Sequence, residues 1–167
     1  MDIQVKVISR EINECLWRAE KTLSTAESCT AGLVASSIAA MPGASSYFRG
    51  GIVAYVDDLK TQLLGVPTAM LEEKGAVSED VARAMVEGAL EHLHTDYAIA
   101  VTGYAGPGGG PEAPVGTIFV AVGRMGDIEV RELTGDDGRA ENVARATTTA
   151  LQMLLEKLKK DFPTPEE

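Results

Sequence analysis

Tyr97-Ala98-Ile99-Ala100-Val101-Thr102 is apolar at every position but its last. A strand with one wet face alternates apolar and polar residues, whereas a strand apolar throughout is covered on both faces. Helices must therefore lie above and below it. Just upstream, Ser78-Glu79-Asp80 opens a helix: Ser78 can cap the first free N–H groups, and the two acids suit the positive end of the helix dipole. Val81, Met85, Ala89 and Leu93 mark its core face. Downstream, a loop rich in Gly and Pro over 103–116 leads into TIFVAVGR (117–124) and DIEVREL (127–133), a hairpin turning at Met125-Gly126.

The same reading extends to both ends. Val5, Ile8, Ile12, Cys15, Leu16 and Ala19 recur at helical spacing, which predicts an amphipathic helix over 2–20. TLSTAE (22–27) predicts a short strand, and the small apolar run from Cys29 to Ala40 a helix packed closely on a sheet, ended by Met41-Pro42-Gly43. GGIVAYV (50–56) predicts a strand, DDLKTQLL a short helix before Gly65, and the stripe Val143, Ala146, Ala150, Leu151, Leu154, Leu158 a last helix starting near Arg139. Helices alternating with buried strands make an α/β fold, a three-layer α/β/α sandwich, and the hairpin makes its mostly parallel sheet a mixed one. The expectation is one domain over residues 1–160 and a polar, frayed tail over 161–167.

Composition narrows the function. Fifteen Lys and Arg against twenty-five Asp and Glu give a net charge of −10. Phosphate backbones and acidic membranes attract basic surfaces, so neither a nucleic acid nor a membrane is an expected partner. A small anion still fits, because a nest of backbone N–H groups can hold it inside an acidic shell. Two cysteines, Cys15 and Cys29, suit a reducing cytoplasm rather than a disulfide scaffold. No apolar run has membrane-spanning length, and the N-terminus carries charges where a signal peptide needs its apolar stretch, so the expected location is cytoplasmic. The first helix could pack on a second copy, as a homo-oligomer, or on its own sheet; both stay open.

Ligands of such sheets bind beyond the carboxyl ends of the strands. Three junctions qualify: after Glu27, after Val56 and after Thr102. The first, Glu27-Ser28-Cys29-Thr30-Ala31-Gly32, sets hydroxyls and a thiol where a helix begins. Ser28 or Thr30 is either a plain cap or a nucleophile with amides ready for an oxyanion. Cys29 is either an acidified thiol or an inward-facing small apolar residue. His92 and His94, two apart, share no helical face, so a His-based triad or zinc pair has little support. The second junction offers another base: Tyr55 and, in the next helix, Lys60. Desolvation there favours the neutral amine, while Asp57 and Asp58 oppose this if they face it. The third is a glycine tract, Gly103 to Gly110, that is neither a Walker loop nor a dinucleotide fingerprint. Arg139 and Arg145 could each pair with a phosphate or serve as surface ion-pair partners.

Taken together, TAESCTAG, PGASSYFRGGIVAY followed by Lys60, KGAVSEDVA, TGYAGPGGG, PVGTIFVAV and Gly135-Asp136 resemble the CinA C-terminal domain family. The resemblance runs from about residue 5 to 158 and rests on several motifs in one order. It implies a three-layer α/β/α domain with a mixed sheet, in a form standing without the larger partner domain found in some members. It further implies nicotinamide-nucleotide amidohydrolase activity, converting nicotinamide mononucleotide to nicotinate mononucleotide and ammonia. Under it Ser28 is the nucleophile and Lys60, bridged by Tyr55, the base. Thr30, Thr102, Gly103 and Gly106 face the nucleotide, with Arg139 or Arg145 on its phosphate. Neither metal nor cofactor is implied. Ala31 stands where the family usually has Gly, and Asp137 and Gly138 stretch a Gly-Asp-Arg motif before Arg139. Two other readings compete: a non-enzymatic nucleotide-binding or regulatory module, and a protein-interaction subunit.

Overall fold

The computed structural model describes residues 1–165. Helices and strands follow in the order α1 (Ile3–Ala19), β1 (Leu23–Glu27), α2 (Leu33–Ala39), β2 (Phe48–Val53), α3 (Asp57–Leu64), α4 (Thr68–Lys74), α5 (Glu79–Leu93), β3 (Tyr97–Gly103), β4 (Ile118–Arg124), β5 (Asp127–Leu133) and α6 (Arg139–Asp161). The sheet order is β2-β1-β3-β4-β5. β1 runs parallel to β2 and β3, while β4 is antiparallel to both its neighbours. Four strands thus point the same way and β4 alone is reversed, a mixed and mostly parallel sheet.

The central strand alternates in size. Tyr97, Ile99 and Val101 face α1, α2 and α6, whereas Ala98 and Ala100 face α5. Methyl groups on that second side let α5 approach closely, and the end of α3 packs tightly on α5 in turn. A Cβ at Gly88 would lie 2.0 Å from the Leu64 carbonyl oxygen, so only Gly fits there. Each fully buried Ile or Leu of these layers contributes about 1.5–3 kcal/mol.

Three expectations shift and one helix, α4, went unread. The helix read over 29–40 begins at Leu33, because Ala31 and Gly32 take left-handed backbone angles (φ 49° and 100°) that no helix turn accommodates. The strand read over 50–56 spans Phe48–Val53, leaving Tyr55 in the loop beyond it. The short α4 has no buried residue and so no apolar stripe to read. Phe162 is not part of a frayed tail: its ring meets Tyr97 edge-on with centroids 6.2 Å apart. Residues 166 and 167 of that expected tail lie outside the described residues.

Candidate functional site

The carboxyl end of β1 is pinned to β3, and the Ser28 amide continues the pairing by donating to the Val101 carbonyl (2.9 Å). The chain then turns sharply through Ala31 and Gly32 into α2. Glu27 stabilises this turn. Buried beneath it, its carboxylate accepts from Thr30 Oγ1 (2.7 Å), Val34 N (2.9 Å) and Ala35 N (3.0 Å). The free N–H groups of the first turn of α2 are thus satisfied by a side chain from the preceding strand, and neither Ser28 nor Thr30 is the cap. The amides of Cys29 and Thr30 have no main-chain acceptor among the described residues. They, rather than α2 itself, are the donors available beside Ser28.

Lys60 reaches the same place from the first turns of α3. It is 1 % exposed, and its Nζ lies 3.1 Å from Ser28 Oγ, 3.4 Å from the Tyr55 carbonyl and 3.7 Å from Asp57 Oδ1. Ser28 Oγ in turn donates to the Tyr55 carbonyl at 3.3 Å. Burial pushes the Lys60 amine below the ordinary lysine range, and the Asp57 carboxylate partly opposes that shift. Burial raises the Cys29 thiol to about 11, so at neutral pH it stays protonated and is a poor nucleophile. Cys29 packs among the apolar residues under α2.

Tyr55 contributes differently from the expectation. Its main-chain carbonyl, not its phenol, joins Ser28 and Lys60. The phenol, on a side chain at the surface, accepts from Arg139 Nη2 at 2.8 Å. Arg139 Nη1 also donates to the Gly106 carbonyl (2.6 Å), tying the glycine loop to the loop before α3. Ser28, Cys29, Tyr55, Gly103, Gly106 and Arg139 border one cleft of about 210 Å³. Hollows of about 480 and 520 Å³ lie elsewhere, but neither brings a hydroxyl to a buried amine. Gly103 is dictated by packing, since a Cβ there would fall 2.7 Å from Ile118 Cα.

Three expected contacts are redirected. Thr30 and Thr102 do not border the cleft: Thr30 bonds Glu27, and Thr102 Oγ1 donates to the Ala76 carbonyl (2.8 Å). Arg145 is held by the Gly135 carbonyl (2.8 Å) and by Asp137 (3.4 Å), whereas Arg139 has no carboxylate partner among the described residues. Asn142 escaped sequence reasoning. Fully buried, it donates to the Ala105 carbonyl (3.0 Å) and to Asp136 (2.8 Å), fastening the glycine loop to the start of α6. Its signal was a polar residue on the stripe Asn142-Ala146-Ala150. Among the described residues no group of three or more His, Cys, Asp or Glu could hold a metal ion, and no helix is long and apolar enough to cross a membrane.

The family model of the CinA C-terminal domain matches residues 5–158. A CinA-like protein of Mycolicibacterium vanbaalenii is 44% identical over 150 residues, covering 89% of this chain and 35% of that protein. One from Synechococcus sp. (strain CC9902) is 46% identical over 142 residues, covering 83% and 34%. The chain thus spans about a third of the length of these curated relatives. Among solved structures, the competence/damage inducible protein CihA from Agrobacterium tumefaciens is 39% identical with a TM-score of 0.89, covering 95% of this chain and 99% of that one. The CinA superfamily protein from Klebsiella pneumoniae 700603 is 32% identical with a TM-score of 0.90, covering 93% and 98%.

Proposed function

We propose, from the premise that this chain belongs to the CinA C-terminal domain family, that it hydrolyses the carboxamide of nicotinamide mononucleotide to nicotinate mononucleotide and ammonia. The observation that carries this reading is the 3.1 Å contact between the buried Lys60 amine and the Ser28 hydroxyl. Taking an amine out of water is costly. In a domain that only bound a nucleotide this cost would have no return, whereas a general base gains from a depressed pKa.

The neutral amine keeps two N–H groups for the Tyr55 carbonyl and Asp57 and turns its lone pair to Ser28. The hydroxyl swings from the Tyr55 carbonyl to Nζ, and Oγ attacks the carboxamide carbon as its proton passes to Lys60. The amides of Cys29 and Thr30 receive the oxyanion. The C–N bond breaks, ammonia leaves with the proton from Lys60, and an ester remains on Ser28. Water then adds to the ester carbon and gives a proton to Lys60, which returns it to Oγ as the carboxylic acid departs. Arg139, engaged among the described residues only by neutral oxygens, exchanges them for the phosphate.

The test is ammonia and nicotinate mononucleotide production from nicotinamide mononucleotide in the presence of a chelator. Stoichiometric release of both is expected. Nucleotide binding without ammonia from any carboxamide nucleotide would instead favour the binding or regulatory module.

A further inference from the structure

Among the described residues the Lys60 amine has three acceptors around it, and only one is charged. Ser28 Oγ and the Tyr55 carbonyl are neutral, whereas Asp57 Oδ1 stands 3.7 Å away on the same helix, three residues back. The two partners differ sharply in exposure: the Lys60 side chain is 2% exposed and that of Asp57 62%. Asp57 therefore touches the buried amine on one side and water on the other. Asp58, its neighbour in the first turn of α3, makes no ion pair with Lys60.

We propose that Asp57 is a positioning residue for Lys60, whose carboxylate holds the charged amine against Ser28 and sets the pH range over which the pair can exchange a proton. In the reaction above Lys60 becomes an ammonium twice, after the hydroxyl gives up its proton and after water does. A carboxylate at the open edge stabilises that ammonium at both moments without entering the cleft. The remaining ionisable groups nearby do not compete. Cys29, on the turn above, is held as a thiol. Glu27 is bonded into the start of α2, and Arg139 lies across the cleft against Tyr55 and Gly106.

The bland alternative is that Asp57 merely suits the positive end of α3. Asp58 shares that helix turn and separates the two ideas. This inference rests on the Ser28–Lys60 reading, but its test need not use turnover. The chain has seven lysines, so the protein labelled with ¹³C at lysine Cε gives few signals, and the one lost in Lys60→Met identifies Lys60.

The expected result is a Lys60 titration midpoint below those of the surface lysines. It falls further in Asp57→Asn, returns toward wild type in Asp57→Glu and is unmoved in Asp58→Asn. Asp57→Ser repeats the test should the Asn variant fold poorly. The acid limb of kcat/KM moves to lower pH in step with the midpoint. An unchanged midpoint in Asp57→Asn, or an equal shift in Asp58→Asn, overturns the proposal. If the midpoints move as stated but no carboxamide releases ammonia, the proton coupling stands and the amidase reading falls.

Discussion

The Glu27 carboxylate accepts the Val34 amide at 2.9 Å, so the last residue of β1 caps a helix that begins six residues later. Three donors converge on it and all lie in or beside the turn that presents Ser28. Removing the carboxylate leaves them unpaired, and each unsatisfied buried donor costs about 1–3 kcal/mol. Glu27→Ala is therefore expected to lose about 3 kcal/mol or more, seen in urea unfolding as a lower midpoint at constant slope. A loss below about 1 kcal/mol would contradict the role given to Glu27.

Ala31 pays a conformational penalty in the same turn. Its φ of 49° costs an L-residue with a Cβ about 1–2 kcal/mol, while Gly adopts it freely. Against this, Gly is more flexible in the unfolded chain, by about 0.5–1 kcal/mol. Ala31→Gly is expected to stabilise the domain by about 0.5–1 kcal/mol and leave the candidate site intact, measured by thermal and chemical unfolding. Destabilisation would mean that the turn is held some other way.

Lys60 is expected to be harmful to stability and necessary for chemistry. Its amine is lowered by burial, so between the folded value and the ordinary lysine value the unfolded chain holds the proton and the native protein does not. Stability contributed by this residue therefore rises with pH across that window. Lys60→Met removes the buried amine. It should raise stability at neutral pH by about 0.5–2 kcal/mol, flatten the rise with pH, and abolish ammonia release. A Met variant less stable than wild type at neutral pH would contradict this.

The two arginines are expected to separate. Arg139→Ala should raise KM for the phosphate-bearing substrate, lowering kcat/KM by about 10- to 150-fold, the worth of a charged hydrogen bond of about 1.5–3 kcal/mol. Arg145→Ala should leave KM near wild type and lower the unfolding temperature, because its bonds go to Gly135 and Asp137. Steady-state kinetics with nicotinamide mononucleotide decide it; the reverse pattern would move the phosphate to Arg145.

Much of the fold was legible because the physical signals are local. Tyr97 to Val101 is apolar throughout, Ser78 is a cap followed by acids, and Met125-Gly126 is a hairpin turn. The three junctions and the pairing of Ser28 with Lys60 were also accessible, the pairing only through resemblance to a family. What escaped depends on distance through space. Nothing local says that Glu27 will cap α2, that Thr30 and Thr102 will turn their hydroxyls to protein acceptors, or that the carbonyl of Tyr55 rather than its phenol will meet the amine. Likewise a helix start at Leu33 instead of Cys29 follows from the left-handed angle of Ala31, which an alanine does not advertise.

Ammonia release by Ser28→Ala, set beside Cys29→Ala, addresses the central claim most directly. With the alcohol as nucleophile and the thiol held protonated near 11, Ser28→Ala should lose about a thousandfold or more in kcat while Cys29→Ala stays within a few-fold of wild type. Wild-type-like turnover in Ser28→Ala, or a loss confined to Cys29→Ala, would contradict the account.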